Sequence, residues 1–180
     1  SIDVLERRSV VEKVIRTIPD FPKEGIFFKD ITPLLMDSSL TNDIIDEFIM
    51  RLKNIQVDSI VGVESRGFLF GFLLANKMEI PFIPIRKVGK LPGETIQYKY
   101  NLEYGSSEVE IHKNDLEKGS RVLIHDDLLA TGGTACAAAE LVLKLGCDIA
   151  AFSFVVNLDF LDGKNKIEDY TSNIISLIDY

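Results

Sequence analysis

The densest chemistry in the chain lies in Val122-Leu123-Ile124-His125-Asp126-Asp127-Leu128-Leu129-Ala130-Thr131-Gly132-Gly133-Thr134. An apolar strand runs into two adjacent carboxylates, then a loop of small residues, then an Ala-rich helix. Gly132 and Gly133 let backbone N–H groups converge with no Cβ in the way. The helix N-terminus behind them favours an anion, and Thr131 and Thr134 can add hydroxyl donors. This is a phosphate cradle at the carboxyl end of a strand, where open α/β sheets take their ligands. It is not a Walker loop, because no Gly-Lys-Ser/Thr follows, and it is not a Gly-x-Gly-x-x-Gly dinucleotide loop. Asp126 and Asp127 would repel a phosphate unless they face something else. Ribose hydroxyls suit them, so acids and cradle together describe a ribose 5-phosphate. The plainer alternative is a βα turn with helix-capping residues.

Two further clusters could bind anions. Glu64-Ser65-Arg66-Gly67 also lies between a strand and a helix and offers an Arg fork; the alternative is a tight turn with a surface Arg. Arg86, Lys87 and Lys90 form a basic cluster just after a strand end, although charge runs are commonly solvated loop. Residues 89–114 lack a helix period. They read as two short strands, Gln97-Tyr98-Lys99-Tyr100 and Val109-Glu110-Ile111, with Glu103-Tyr104-Gly105-Ser106-Ser107 turning between them. A long excursion between sheet strands is often a functional flap, the alternative being an ornamental hairpin.

The elements around these residues alternate. Val10, Val11, Val14, Ile15 and Ile18 have helical spacing, stopped by Pro19. Residues 21–25 are a turn, followed by apolar Ile26-Phe27-Phe28 and then Lys29-Asp30. Ile44, Ile45, Phe48, Ile49 and Leu52 make an amphipathic helix with Thr41 or Asn42 as cap. Strands are expected at 59–63, 82–85, 121–124, 150–156 and 174–178, with Pro84 uncomfortable in a central strand. Residues 68–77 are apolar nearly all round, as in a buried helix. Residues 134–145 form another helix, with Gly146 at its C-terminal cap. The alternation reads as an α/β protein with a mainly parallel sheet. At 180 residues and 46% hydrophobic composition the chain is one domain with a real core. Its net charge of −8 disfavours nucleic acid. Two cysteines exclude a disulfide framework, and two histidines are too few for a His-rich metal site. The longest apolar stretch, 68–75, is too short to span a bilayer, and no signal peptide is evident, so no membrane association is expected.

With these residues in place, the chain resembles the type I phosphoribosyltransferases. The acid-and-glycine stretch is similar to that family's phosphoribosyl diphosphate (PRPP) motif. Residues 21–33 (Phe-Pro-Lys-Glu-Gly-Ile-Phe-Phe-Lys-Asp-Ile-Thr-Pro), 64–71 (Glu-Ser-Arg-Gly-Phe-Leu-Phe-Gly), 86–93 (Arg-Lys-Val-Gly-Lys-Leu-Pro-Gly) and 102–105 (Leu-Glu-Tyr-Gly) resemble, in order, the branch that acts on adenine. The resemblance implies a mainly parallel central sheet flanked by helices in a single domain. Its parts are an N-terminal hood of about 1–35, a core of about 36–180, and a flexible hairpin flap of about 93–114.

The activity so implied is purine salvage: transfer of phosphoribose from PRPP to adenine, giving AMP and pyrophosphate. Magnesium would be the cofactor, held mainly through substrate, in a cytoplasmic homodimer. By the same resemblance Asp126, Asp127, Ala130, Thr131, Gly132, Gly133 and Thr134 hold the ribose phosphate. Ser65, Arg66, Arg86, Lys87 and Lys90 hold the diphosphate, with a non-proline cis peptide at Glu64–Ser65. The backbone of Phe27 and Lys29 reads adenine, Phe28 packs near its ring, and Leu158 lies on its opposite face. Related 6-oxopurine enzymes carry a catalytic acid where Ala130 stands. Here the matching acid is Glu103, with Tyr104 closing the flap. The chain departs from the family at Lys29, often Arg; at Asn157, commonly Glu; and at His125, usually apolar and expected to pack rather than catalyse. One rival reading is a guanine, hypoxanthine or xanthine transferase, which Ala130 disfavours. The other is a PRPP-fold regulator that binds nucleic acid, which the acidic charge disfavours.

Overall fold

The computed structural model describes residues 10–102 and 105–180, so Glu103 and Tyr104 lie outside the described residues. The chain divides into two compact units, Ser1–Glu47 and Phe48–Tyr180.

In the first unit the helix expected to run to Ile18 is present among the described residues at 10–14 and ends there, and β1 (Arg16–Pro19) follows after one residue. β-Branched Thr17 and Ile18 favour extended backbone. That preference is satisfied by antiparallel pairing with β2 (Phe27–Asp30), which sets Thr17 opposite Lys29, Ile18 opposite Phe28 and Pro19 opposite Phe27. The connecting turn is closed by Asp20, whose Oδ1 accepts the Gly25 N–H at 2.8 Å. Helix α1 (Ser38–Leu52) begins earlier than expected. Its cap is Asp37, whose Oδ1 accepts the Leu40 N–H at 3.1 Å, not Thr41 or Asn42. The Thr41 hydroxyl instead donates to the Leu34 carbonyl at 2.8 Å.

The second unit contains β3 (Ser59–Val63), α2 (Gly67–Met78), β4 (Phe82–Lys87), β5 (Thr95–Asn101), β6 (Ser106–His112) and β7 (Arg121–Leu129). After these come α3 (Gly133–Lys144), β8 (Asp148–Asn157), α4 (Gly163–Ile167) and β9 (Ile174–Asp179). Among the described residues one seven-stranded sheet runs β5-β6-β4-β3-β7-β8-β9. The five strands from β4 to β9 are parallel, and β6 and β5 add antiparallel at one edge. The hairpin is therefore a continuation of the main sheet, with Val109 and Ile111 in the core.

Chain direction fixes where a ligand can enter. The β3-α2-β4 crossover moves to one side along the sheet, and β7-α3-β8 moves to the other. Right-handed crossovers in opposite directions put α2 and α3 on opposite faces and leave a crevice between the carboxyl ends of β3 and β7. On the α3 face Val61, Ile83, Ile85, Val122 and Ile124 pack against Ala135, Ala138, Leu141 and Val142. Helix α2 is not buried all round as its sequence suggested. Phe70 and Leu74 are buried, but Leu69, Phe72 and Leu73 are 40%, 57% and 40% exposed.

Pro84 is accommodated by a partial edge. The Pro81 and Ile85 carbonyls accept from β3, so by strand alternation Pro84 faces the other side. There β6 pairs only from Arg86 onward, and the missing N–H breaks no ladder.

His125 packs, as expected. It is fully buried, its ring edge-on to Phe48 at 5.6 Å and its Nδ1 2.8 Å from Ser153 Oγ. Its Nε2 is buried with no hydrogen-bond partner among the described residues. Burial pushes its pKa from 6.5 down to about 3. The unfolded chain therefore binds a proton that the folded chain refuses. The stability this contributes is complete above pH 6.5 and falls by about 1.4 kcal/mol per pH unit down to pH 3. Denaturant unfolding of the native protein and of His125→Phe at pH 7 and pH 5 checks this. The native protein should lose about 2 kcal/mol more than the variant over that interval.

Candidate active site

The crevice between β3 and β7 widens into a cleft of about 290 Å³, completed by the end of β4 and by Tyr100 and Val109 of the hairpin. Its floor is the end of β7. There the Asp127 N–H donates to Asp126 Oδ1 at 2.8 Å, and Arg66, from the loop after β3, reaches Asp127 Oδ2 at 3.0 Å. The Asp127 side chain is only 5% exposed, so the guanidinium offsets the cost of burying that carboxylate. Burial first, and the Asp127 charge second, hold the Asp126 carboxyl well above the ordinary carboxylate range.

Beyond Leu129 the chain enters the small-residue loop. Gly132 caps α3 at φ +90°, a conformation that L side chains rarely adopt, and its carbonyl accepts the Cys136 N–H at 2.9 Å. Ala130, Thr131, Gly132, Gly133 and Thr134 surround a second cavity of about 80 Å³, which shares Asp126, Leu128, Ala130 and Thr134 with the main cleft. The loop rests on α4. A Cβ on Gly163 would collide with the Ala130 carbonyl, and one on Gly132 would lie 3.1 Å from the Gly163 carbonyl.

The approach to α4 is itself tied down. The Leu158 N–H donates to the Leu129 carbonyl at 2.9 Å. Asp179 Oδ1 accepts from Asn157 Nδ2 at 2.9 Å, Ser176 Oγ at 2.7 Å and Lys164 Nζ at 3.3 Å. Burial alone would raise the Asp179 carboxyl, but those donors hold it below its ordinary value. An acid is thus present beside Asn157, supplied from β9.

The opposite wall is basic. Glu64 Oε1 accepts from Arg86 Nε at 3.1 Å and from the Lys87 N–H at 2.9 Å. Burial would raise the Glu64 carboxyl; the Lys87 N–H, Arg86 and the nearby Lys90 charge outweigh it and hold it low. Buried Glu110 braces the following loop, accepting the Leu91 N–H at 2.8 Å and the Thr95 hydroxyl at 3.4 Å. From the hairpin, Tyr100 Oη meets Thr134 Oγ1 at 3.3 Å, and Lys144 Nζ sits 5.0 Å from the Tyr98 ring centroid.

A family model for a phosphoribosyl transferase domain matches residues 39–179. The adenine phosphoribosyltransferase of Cytophaga hutchinsonii is 48% identical over 180 residues, covering 100% of this chain and 98% of that protein. The chain belongs to the adenine phosphoribosyltransferase family. The crystal structure of the family member from Thermoanaerobacter pseudethanolicus superposes with a TM-score of 0.92 at 48% identity, covering 96% of this chain and 99% of that one. The Saccharomyces cerevisiae member, solved with D-2,5-dideoxy-2,5-imino-altritol 1,6-bisphosphate and adenine, gives 0.91 at 41% identity, covering 96% and 99%.

Against this family's pattern, the structure brings Arg66, Arg86, Lys87, Asp126, Asp127, Ala130 and Thr134 to one cleft, with Thr131, Gly132 and Gly133 beside it. Ser65 follows a cis Glu64–Ser65 bond, as the resemblance implied. Lys90 lies on the next turn, its N–H donating to the Lys87 carbonyl at 3.2 Å. Neither Ser65, Lys90 nor Leu158 lines the cleft among the described residues. Phe27, Phe28 and Lys29 belong to the first unit. There the Phe28 ring meets Phe21 edge-on at 5.2 Å, and Lys29 Nζ donates to Thr17 Oγ1 at 2.9 Å.

Sequence reasoning missed the Glu64 carboxylate, Tyr100, Glu110 and Gly163. Strand alternation carried a signal for Tyr100, which shares a face with Tyr98. Nothing in the sequence placed Gly163 under the loop. Gly163→Ala should cost about 1–3 kcal/mol by overpacking against Ala130 and raise the KM for PRPP more than that for the base. Thermal melts and initial rates would check both.

Proposed function

We propose that the cleft transfers phosphoribose from PRPP to adenine, giving AMP and pyrophosphate. One juxtaposition carries the reading: the Asp126–Asp127 strand end and its glycine loop face Arg66, Arg86 and Lys87 across a single cavity. An acid pair, a phosphate cradle and a basic wall match the three polar parts of PRPP.

The loop Ala130–Thr134 takes the 5-phosphate through backbone N–H groups and the Thr hydroxyls. Asp126 and Asp127 take the ribose hydroxyls, whose O–H groups donate to the carboxylate oxygens. Arg66, Arg86, Lys87, Lys90 and Ser65 surround the diphosphate and stabilise the charge that grows on it as it leaves. Nitrogen 9 of adenine attacks the anomeric carbon while that bond breaks, through a transition state with ribosyl oxocarbenium character. Glu103 handles the proton on the imidazole side of the base, and Tyr104 closes the flap to exclude water. The adenine-reading role falls, by the family pattern, to the backbone of Phe27 and Lys29, alternate residues of β2 whose backbone groups face the same edge of that strand, and to Phe28 and Leu158 for the faces of the ring.

A bound magnesium ion would supply charge neutralisation for the departing diphosphate. Asp126 and Asp127 offer the hard oxygen donors such a cation takes. Among the described residues no group of three or more His, Cys, Asp or Glu is placed to hold a metal, and we read the ion as one carried mainly by substrate. The working form we infer is a cytoplasmic homodimer. The free thiols of Cys136 and Cys147 suit a reducing compartment, and the apolar Leu69, Phe72 and Leu73 face of α2 suits an interface between copies.

Incubation with PRPP, magnesium and adenine, hypoxanthine, guanine or xanthine should yield AMP from adenine alone. A different mononucleotide would retain the PRPP site and discard the account of hood and flap. Glu103→Ala should lower kcat by about 10²–10⁴ with little change in the KM for PRPP. Equal effects on both constants in steady-state kinetics would remove Glu103 from the role.

A further inference from the structure

Both guanidinium groups that face the cleft are already opposite carboxylates: Arg66 with Asp127 at 3.0 Å, and Arg86 with Glu64 at 3.1 Å. The charged residues described in its lining are three acids, Glu64, Asp126 and Asp127, and three bases, Arg66, Arg86 and Lys87. Their formal charges cancel. The acids do not have equivalent surroundings. Asp127 is buried beneath the site and needs its partner, whereas the Glu64 side chain is 18% exposed. One Glu64 oxygen, Oε1, takes both the Arg86 Nε–H and the Lys87 N–H, at 3.1 and 2.9 Å. A guanidinium and a backbone N–H converging on one oxygen are the donors a phosphate oxygen would use.

We propose that Glu64 is an internal competitor for the diphosphate subsite, occupying Arg86 and the Lys87 N–H until a diphosphate displaces it. The inference rests on the diphosphate reading given above. Its consequence is a specificity in affinity. Free pyrophosphate must displace an anion that is already tethered in place, so the product binds weakly and leaves readily. PRPP meets the same resistance but is also held through its ribose and 5-phosphate. A purely structural Glu64 would have the opposite effect, since a carboxylate that merely aims Arg86 would assist pyrophosphate.

Calorimetric titration of magnesium-free pyrophosphate into the native protein, Glu64→Gln, Arg86→Gln and the double variant separates these cases. Gln keeps an oxygen for the Lys87 N–H and removes only the charge. Glu64→Gln should bind pyrophosphate about three- to tenfold more tightly, the scale of a partly exposed ion pair plus relief of like-charge repulsion. That gain should vanish in the Arg86→Gln background. Unchanged or weaker binding by a folded Glu64→Gln would overturn the proposal and leave Glu64 as an aiming residue. Should that variant fail to melt cooperatively, Glu64→Asp, which withdraws the carboxylate by one methylene, should shift binding the same way by a smaller factor; no shift would overturn the proposal. If the native protein and all folded variants bind no pyrophosphate and form no AMP, the diphosphate reading fails and the proposal falls with it. AMP formation with no Glu64-dependent change in pyrophosphate affinity overturns the proposal alone.

Discussion

The Arg66–Asp127 ion pair crosses the crevice at the one place where the sheet changes direction, joining the loop after β3 to the end of β7. Without Arg66, the Asp127 carboxylate would be a nearly buried and uncompensated charge beside a second acid, an arrangement costing several kcal/mol. With it, two adjacent carboxylates can sit at the end of a hydrophobic strand. The loop that follows starts from a fixed point, and α3 can begin directly beyond it. The cis bond at Glu64–Ser65, the start of α2 and the phosphate loop all lie within a few residues of one partner or the other.

Support for this pair comes from outside the motifs. On one side Gly163 and the Asn157–Asp179–Lys164 cluster press α4 against Ala130. On the other Glu110 anchors the loop that carries the basic residues, and Tyr100 reaches Thr134 from the hairpin. The residues that would touch the ribose phosphate and the diphosphate come from the ends of β3, β4 and β7 and the loops that follow them. Those that hold the loops come from β5, β6, β9 and α4.

Much of this was legible in the sequence, for identifiable reasons. Apolar runs of four to seven residues marked β3, β7 and β8, because strands buried on both faces carry no polar alternation to confuse them. The phosphate loop was legible because its chemistry is local: acids, glycines and a helix start are adjacent in the chain. What stayed hidden depended on distant partners. Residues 16–18 continue a helical period in the sequence, and pairing with β2 makes them a strand. Asp37 capped α1 ahead of the expected Thr41 because the helix start is set by the turn before it. Helix α2 is apolar on more faces than one chain buries. Glu64, Glu110 and Asp179 looked like ordinary surface acids, since the donors that occupy them lie many residues away. The tip of the hairpin, with Glu103, rests on the family resemblance alone.

The narrow joint between β4 and β6 has a mechanical meaning. Among the described residues β6 joins the β4 ladder at Arg86 and Lys87, opposite Glu110 and Val109, with the Val88 N–H donating to the Glu108 carbonyl just beyond, and Pro84 ends the ladder on the other side. Those two residues are also the basic wall of the cleft. The backbone that joins the hairpin to β4 is therefore the same backbone that carries the cations, so the attachment of one and the placement of the other share a single short segment. A proline in a strand thus confines the seam between hairpin and parallel sheet to the rim of the cleft.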